Sequence, residues 1–192
     1  VGVLPGGRLT LENAYGWSRF ARAVLDTDDI DFRARPVSDE ETSFLMAHVA
    51  GRSFDESVHY ADLESAGRVV LVALEPEDEC PIVFLRLRKA WRKRGLEVVA
   101  LAPFSSRGSR RTGARLWATA PGQEAARLAE LAREGGIDER TIILVGERAA
   151  TSPGALSEVV AQARAHGARF AWIPRRAGEL AALEAGALPG LL

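Results

Sequence analysis

Cysteine is almost missing from the chain: Cys80 is the only one in 192 residues. No internal disulfide can form, and no cysteine-ligated iron–sulfur cluster can be held by these residues alone. A reducing compartment fits best. Histidine is scarce too. His48, His59 and His166 follow neither an H-x-x-x-H nor a C-x-x-C spacing, so the usual zinc patterns are absent and no metal ligand is expected. They read as packing or surface side chains; only His59 has carboxylates close in sequence, Asp55 and Glu56. No run approaches the roughly 18 apolar residues of a membrane span, so no direct membrane insertion is expected. With 25 basic against 26 acidic residues and a net charge of -1, the basic excess that nucleic-acid binding needs is lacking, and no nucleic-acid partner is expected. Nucleophilic catalysis has no foothold either: no G-x-S-x-G elbow follows a strand, and "GRSFDES" at 51–57 has the wrong spacing. The early "GVLPGG" has neither the G-x-G-x-x-G fingerprint nor the Lys-Ser/Thr ending of a phosphate loop, and reads as a glycine turn.

What is present is an α/β alternation. Short apolar runs recur at 1–4 ("VGVL"), 68–74 ("RVVLVAL"), 96–102 ("LEVVALA"), 115–120 ("RLWATA"), 141–147 ("TIILVGE") and 169–174 ("RFAWIP"). They are apolar on both faces rather than alternating, as buried parallel strands are. Helical patterns lie between them. "SDEETSFLMAHVAG" opens on a capping box, Ser38 with Glu41, and stops at Gly51. "PIVFLRLRKAWRKRG" starts with Pro81 and ends at Gly95, with Val83, Phe84, Leu87, Ala90 and Trp91 as its core stripe and basic residues elsewhere. "GQEAARLAELAREGG" and "SPGALSEVVAQARAHG" are two further amphipathic helices. The expectation is a three-layer α/β/α sandwich on a mostly parallel, Rossmann-like sheet. Residues 1–67 read as an N-terminal strand and helical segment packed on a doubly wound portion, 68–192, in one continuous domain. "VGVLPGGRLT" lacks both an initiator methionine and a signal-peptide pattern, and "GALPGLL" closes without a capped element. Both ends read as those of a piece of a longer polypeptide.

Charge is patterned in two loops. "ALEPEDECP", 73–81, places Glu75, Glu77, Asp78 and Glu79 directly after an apolar run, where an open α/β sheet usually binds its ligand. Two unit charges about 4 Å apart interact by roughly 4 kcal/mol at an effective dielectric near 20, so a pyrophosphate there would be repelled. "PFSSRGSRRTGAR", 103–115, carries Arg107, Arg110, Arg111 and Arg115 among small, flexible residues. If the runs at 68–74 and 96–102 are neighbours, the loops meet at one sheet edge. They would then neutralise each other through exposed ion pairs of roughly 0–1 kcal/mol each, or form an anion or docking surface. Cys80 opens a helix whose dipole favours the thiolate, yet the preceding carboxylates favour the thiol, and it reads as inert.

The order of these motifs resembles the molybdopterin oxidoreductase superfamily. "RVVLVALEPEDECPIVFLRLRKAWRKRGLEVVALAP" is similar to its strand, Asn-Pro turn, helix and second strand ending in Asp-Pro-Arg, and "LWATAPGQEAARLAEL" to its strand, Pro-Gly-Thr-Asp turn and helix. The flanks "GGRLTLENAYGWSRFARAVLDTDDIDFRAR" and "IPRRAGELAALEAGALPG" resemble the G-subunit family of bacterial NADH-quinone oxidoreductase, respiratory complex I, in its actinobacterial form.

The resemblance implies a fold kept and a cofactor site abandoned. Glu75-Pro76 stands where the superfamily has Asn-Pro, Phe104 replaces its arginine, and Gln123-Glu124 replaces Thr-Asp after Pro121-Gly122. Glu75, Pro76, Arg107, Arg110, Gly122, Gln123 and Glu124 are thereby a candidate vestigial guanosine-dinucleotide site, with no catalytic residue and no metal ligand. Molybdopterin guanine dinucleotide is expected to be lost. The parent chain is expected to carry 2Fe-2S and 4Fe-4S clusters upstream, within a complex that passes electrons from NADH to quinone and translocates protons. The implied partners are the remainder of the same chain and other peripheral-arm subunits; the implied location is cytoplasmic, peripheral to the inner membrane face. The alternative is a cofactor-binding fragment of a molybdopterin guanine dinucleotide enzyme, such as a formate dehydrogenase-like protein, with Glu124, Arg107 and Arg110 still contacting the nucleotide.

Overall fold

The computed structural model describes residues 1–191. In chain order its helices are α1 (Leu11–Ala23), α2 (Asp39–His48), α3 (Tyr60–Ser65), α4 (Pro76–Glu79), α5 (Pro81–Arg94), α6 (Arg107–Arg111), α7 (Glu124–Arg133), α8 (Ala155–His166) and α9 (Glu179–Glu184). The strands are β1 (Arg68–Val72), β2 (Glu97–Ala102), β3 (Arg115–Ala118), β4 (Thr141–Gly146) and β5 (Arg169–Ile173). The chain forms two compact units, Ser53–Ile173 on one hand and Val1–Arg52 with Pro174–Leu192 on the other.

The first of these is the sheet unit. All five strands are parallel, in the order β3-β2-β1-β4-β5, so the doubly wound α/β expectation holds. β1 is central, Val70 pairing with Val99 on one side and Ile143 on the other. Because side chains alternate along a strand, Val69 and Leu71 share a cluster with Leu63 of α3, Val83 and Leu87 of α5, Val98 and Ile142. Val70, Val72, Ile143 and Val145 face the other way and are fully buried. On that side lie α7 and α8, which contact each other, β2 and β4. Each such buried aliphatic side chain contributes roughly 1.5–3 kcal/mol, which is why the runs at β1, β2 and β4 carry almost no polar residue. The edge strands are half-exposed. On β3, Trp117 has the guanidinium carbons of Arg115 and Arg127 at 5.1 and 4.9 Å from its ring, cation–π contacts that cover the edge.

The helix α5 begins at Pro81 and is closed by left-handed Gly95. Of its expected stripe, Val83, Phe84, Leu87 and Ala90 are buried, whereas Trp91 is 39% exposed. Its ring lies instead over Gly113, whose φ is +65° and where a Cβ would come within 2.1 Å of the indole.

In the other unit, the expected strand at 1–4 is not formed: Val3 makes one isolated bridge, with Ile30. Four residues with a glycine and a proline beside them are too short to pair further. The unit's core is built from Ile30, Phe32, Leu45, Leu183 and Leu188, all fully buried. Helix α1 turns its small residues Ala14, Ser18 and Ala21 inward and contacts α9. The Ser38 hydroxyl accepts from the Glu41 amide at 3.1 Å as a cap should, but the other half of the capping box is missing. The Glu41 carboxylate is taken by two guanidinium groups, Arg33 at 3.1 Å and Arg35 at 2.6 Å, charge-assisted bonds that outcompete one backbone amide.

Candidate functional site

In a doubly wound sheet the ligand crevice lies outside the carboxyl ends of the strands, where the strand order reverses. Here that point is between β1 and β4. It is closely packed: a Cβ on Gly146 would stand 2.6 Å from the Ala73 carbonyl oxygen and 3.2 Å from Leu74. Ala73 takes a left-handed φ of +49°, which swings the chain across the end of its own strand. Arg148, in the single turn Glu147–Thr151 that follows β4, then bridges the gap. Its Nε donates to the Ala73 carbonyl at 3.2 Å, and its guanidinium pairs with the buried Glu79 at 2.8 Å.

The carboxylates of the β1 turn are engaged in the same way. Glu75 is the N-cap of α4 and accepts from the Glu77 amide at 3.2 Å; the Ser106 hydroxyl donates to its second oxygen. Its backbone amide donates to Glu79 at 2.9 Å. Pro76, at the first helical position, is buried. Glu77 pairs with Arg111. The two charged loops therefore do meet, since β1 and β2 are paired neighbours. The basic segment, expected as a loop, is the short helix α6, because Ser106 and Ser109 cap each other reciprocally. Gly108 lets it approach: a Cβ there would lie 2.1 Å from the Glu75 carboxylate and 2.8 Å from the Glu77 Cβ.

The remaining site candidates are less gathered. Arg107 and Arg110 are exposed, and Arg110 donates to the Ser105 carbonyl at 2.7 Å. Gly122, with φ +84°, and Gln123 are exposed in the turn after β3. Glu124 opens α7, and one of its carboxylate oxygens is buried with no hydrogen-bond partner. The Thr119 amide donates to the Ala102 carbonyl at 3.0 Å, but among the described residues no hydrogen bond or ion pair joins Gly122, Gln123 or Glu124 to the turns after β1 and β2. Phe104 is 68% exposed. Sequence reasoning missed Ser106, Gly108 and Arg148. The Ser-x-x-Ser spacing of Ser106 and Ser109 carried a capping signal; Arg148 carried none, since it meets Glu79 only through the pairing of β1 with β4.

Of the four carboxylates after β1, Glu77 and Glu79 have cationic partners, Arg111 and Arg148. The Glu75 carboxylate lies between α4 and α6, and the half-exposed Arg148 side chain reaches from the end of β4 to Ala73 and Glu79. Among the described residues no cluster of histidine, cysteine and carboxylate side chains could hold a metal ion, and no helix is long and apolar enough to cross a membrane.

The geometry defines a doubly wound, Rossmann-like α/β protein whose carboxyl edge is filled by its own side chains. Comparison of sequences makes the assignment particular. The chain is 55% identical, over its whole length, to the G subunits of NADH-quinone oxidoreductase from Mycobacterium bovis and from Mycobacterium tuberculosis, and 51% identical to the G subunit from Streptomyces coelicolor. Over all its residues it is similar to one part of the NADH-quinone oxidoreductase G subunits. It spans about a quarter of the length of these relatives, 24% and 26%. A nitrate reductase from Shewanella frigidimarina is 28% identical over 109 residues, 55% of this chain and 11% of that protein. No family model matches the chain.

Proposed function

We propose that this chain is a structural portion of the G subunit of NADH-quinone oxidoreductase, with no active site of its own. The observation that carries the reading is the self-occupied carboxyl edge: Glu75 held by Ser106, Glu79 held by Arg148, and Gly146 packed on Ala73. An edge closed in this way serves packing rather than ligand exchange. The parent complex would carry electrons from NADH through 2Fe-2S and 4Fe-4S clusters to quinone, coupled to proton translocation, at the cytoplasmic face of the inner membrane. The clusters would be held by cysteines outside these residues, because Cys80 alone cannot ligate one. The partners would be the rest of the parent chain and other peripheral-arm subunits.

In this reading Glu75, Pro76, Arg107, Arg110, Gly122, Gln123 and Glu124 are what is left of a guanosine-dinucleotide site. A second reading is favoured by one observation, the partnerless buried oxygen of Glu124 beside the open Gly122 turn. There the chain would be a cofactor-binding fragment of a molybdopterin guanine dinucleotide enzyme, and the partial similarity to a nitrate reductase agrees with it.

The test separates the two. The parent polypeptide is purified with whatever assembles on it, and NADH oxidation, molybdenum, tungsten and acid-released guanine nucleotide are measured. The scaffold reading expects NADH oxidation with neither metal and no guanine nucleotide. Stoichiometric guanine nucleotide with molybdenum or tungsten would overturn it in favour of the second.

A further inference from the structure

We propose that the outer face of α5 is a docking surface for an acidic, partly apolar face of a separate protein chain. Helix α5 carries Arg86, Arg88, Lys89, Arg92, Lys93 and Arg94 and no acidic residue. Among the described residues only Glu64 of α3 answers them by ion pairing, with Arg86 at 2.6 Å and Lys89 at 2.7 Å. Arg88, Arg92 and Lys93 have no ion pair among the described residues. They line, with Leu85 and Lys89, a shallow groove of about 480 Å³.

Two features go beyond a solvated basic helix. Ile82 and Leu85, 48% and 53% exposed, lie on the same side as Lys89, Arg92 and Lys93 at spacings of three and four residues, opposite the buried Val83, Leu87 and Ala90. Apolar side chains set among cations match a protein surface better than a phosphate polymer, and a chain of net charge -1 has little general attraction for nucleic acid. The cations are also badly placed for the helix itself. Arg88 with Arg92 and Lys89 with Lys93 are like-charge pairs four residues apart, an arrangement that weakens a helix. Favourable interaction with the helix C-terminus accounts for Arg92, Lys93 and Arg94 in the last turn, but not for Arg88, Leu85 or Ile82 further back. Carboxylates from a partner would relieve both repulsions, and would steer its approach.

The inference rests on the proposed place of the chain in a multi-chain assembly, and its experiment keeps the two apart. The assembly purified on the parent polypeptide is treated with a carbodiimide, which joins a lysine directly to a touching carboxylate, and the linked peptides are identified by mass spectrometry. Acylation of Lys93 is timed in the assembly and in the isolated chain. The expected result is a link from Lys93 to an aspartate or glutamate of another polypeptide, with acylation slowed about tenfold in the assembly. The triple variant Arg88→Gln, Arg92→Gln, Lys93→Gln should lose that polypeptide while the isolated chain still unfolds cooperatively at about the same temperature, the relieved repulsions offsetting the lost interaction of Arg92 and Lys93 with the helix end. An assembly that oxidises NADH but leaves Lys93 as reactive as in the isolated chain would overturn the docking surface and spare the family reading. Links confined to the parent chain, or protection removed by nuclease or detergent, would overturn it equally. Failure to recover any NADH-oxidising assembly would count against the proposed function instead.

Discussion

Glu41 shows how much a single side chain can carry. It is fully buried, held by Arg33 and Arg35, with Arg33 itself clamped by Asp31 at 2.7 Å. Removing one member of a buried ion network leaves the others uncompensated and typically costs about 3–5 kcal/mol. Glu41→Gln is therefore expected to lower the free energy of unfolding by about 3 kcal/mol in urea, and an unchanged midpoint would show that water reaches the network. Glu64 offers a test by pH. Hydrogen bonds from Lys89 first and Arg86 second bring its carboxyl down from 4.5 to about 2. Because the folded value lies below the unfolded one, its contribution is complete above about 4.5 and is lost as the pH falls towards 2. An NMR titration of the Glu64 side chain should give a midpoint near 2, and Lys89→Met should move it up towards 4.5.

Between elements, two glycines set the close approaches, and they are not equivalent. At Gly146 an added Cβ meets backbone, the Ala73 carbonyl at 2.6 Å, which can move only if β1 and β4 separate. Gly146→Ala should cost about 2–3 kcal/mol, near the upper end of overpacking penalties. At Gly108 the added Cβ meets the Glu75 carboxylate at 2.1 Å, the movable end of a side chain, and the Glu77 Cβ at 2.8 Å, which shifts only with α4, while alanine improves helix propensity by about 1 kcal/mol. Gly108→Ala should therefore cost about 1–2 kcal/mol, less than Gly146→Ala, and thermal unfolding of the two variants side by side checks the contrast. The same distinction explains what the sequence disclosed. The five parallel strands, α5 from its proline to its glycine, and the meeting of acidic and basic segments were legible, because buried runs and caps are local signals. Arg148 closing on Glu79 was not, since it depends on β1 and β4 pairing across about seventy residues, a tertiary event that local patterns do not encode. The lone bridge at Val3 and the diversion of Glu41 from its capping box have other causes: a run too short to pair further, and two guanidinium groups, Arg33 and Arg35, that outcompete one backbone amide.

At the scale of the whole molecule, the sheet unit is one continuous segment, Ser53–Ile173, whereas the other unit draws on both ends of the chain. A continuous segment with its own buried core is the usual condition for folding alone. Residues 53–173 expressed by themselves should give a cooperative thermal transition and an α/β circular dichroism spectrum; a spectrum of unfolded chain would show that the sheet depends on the terminal segments. The central claim is that the carboxyl edge of this sheet is occupied by its own side chains and no longer takes a nucleotide. GDP carries the same guanosine diphosphate group as the pterin dinucleotide, and its titration into the 192-residue chain, followed by calorimetry at low and moderate salt, tests that most directly. The account predicts no saturable heat, in a sample that unfolds cooperatively. Micromolar binding that disappears on Glu124→Ala would contradict it.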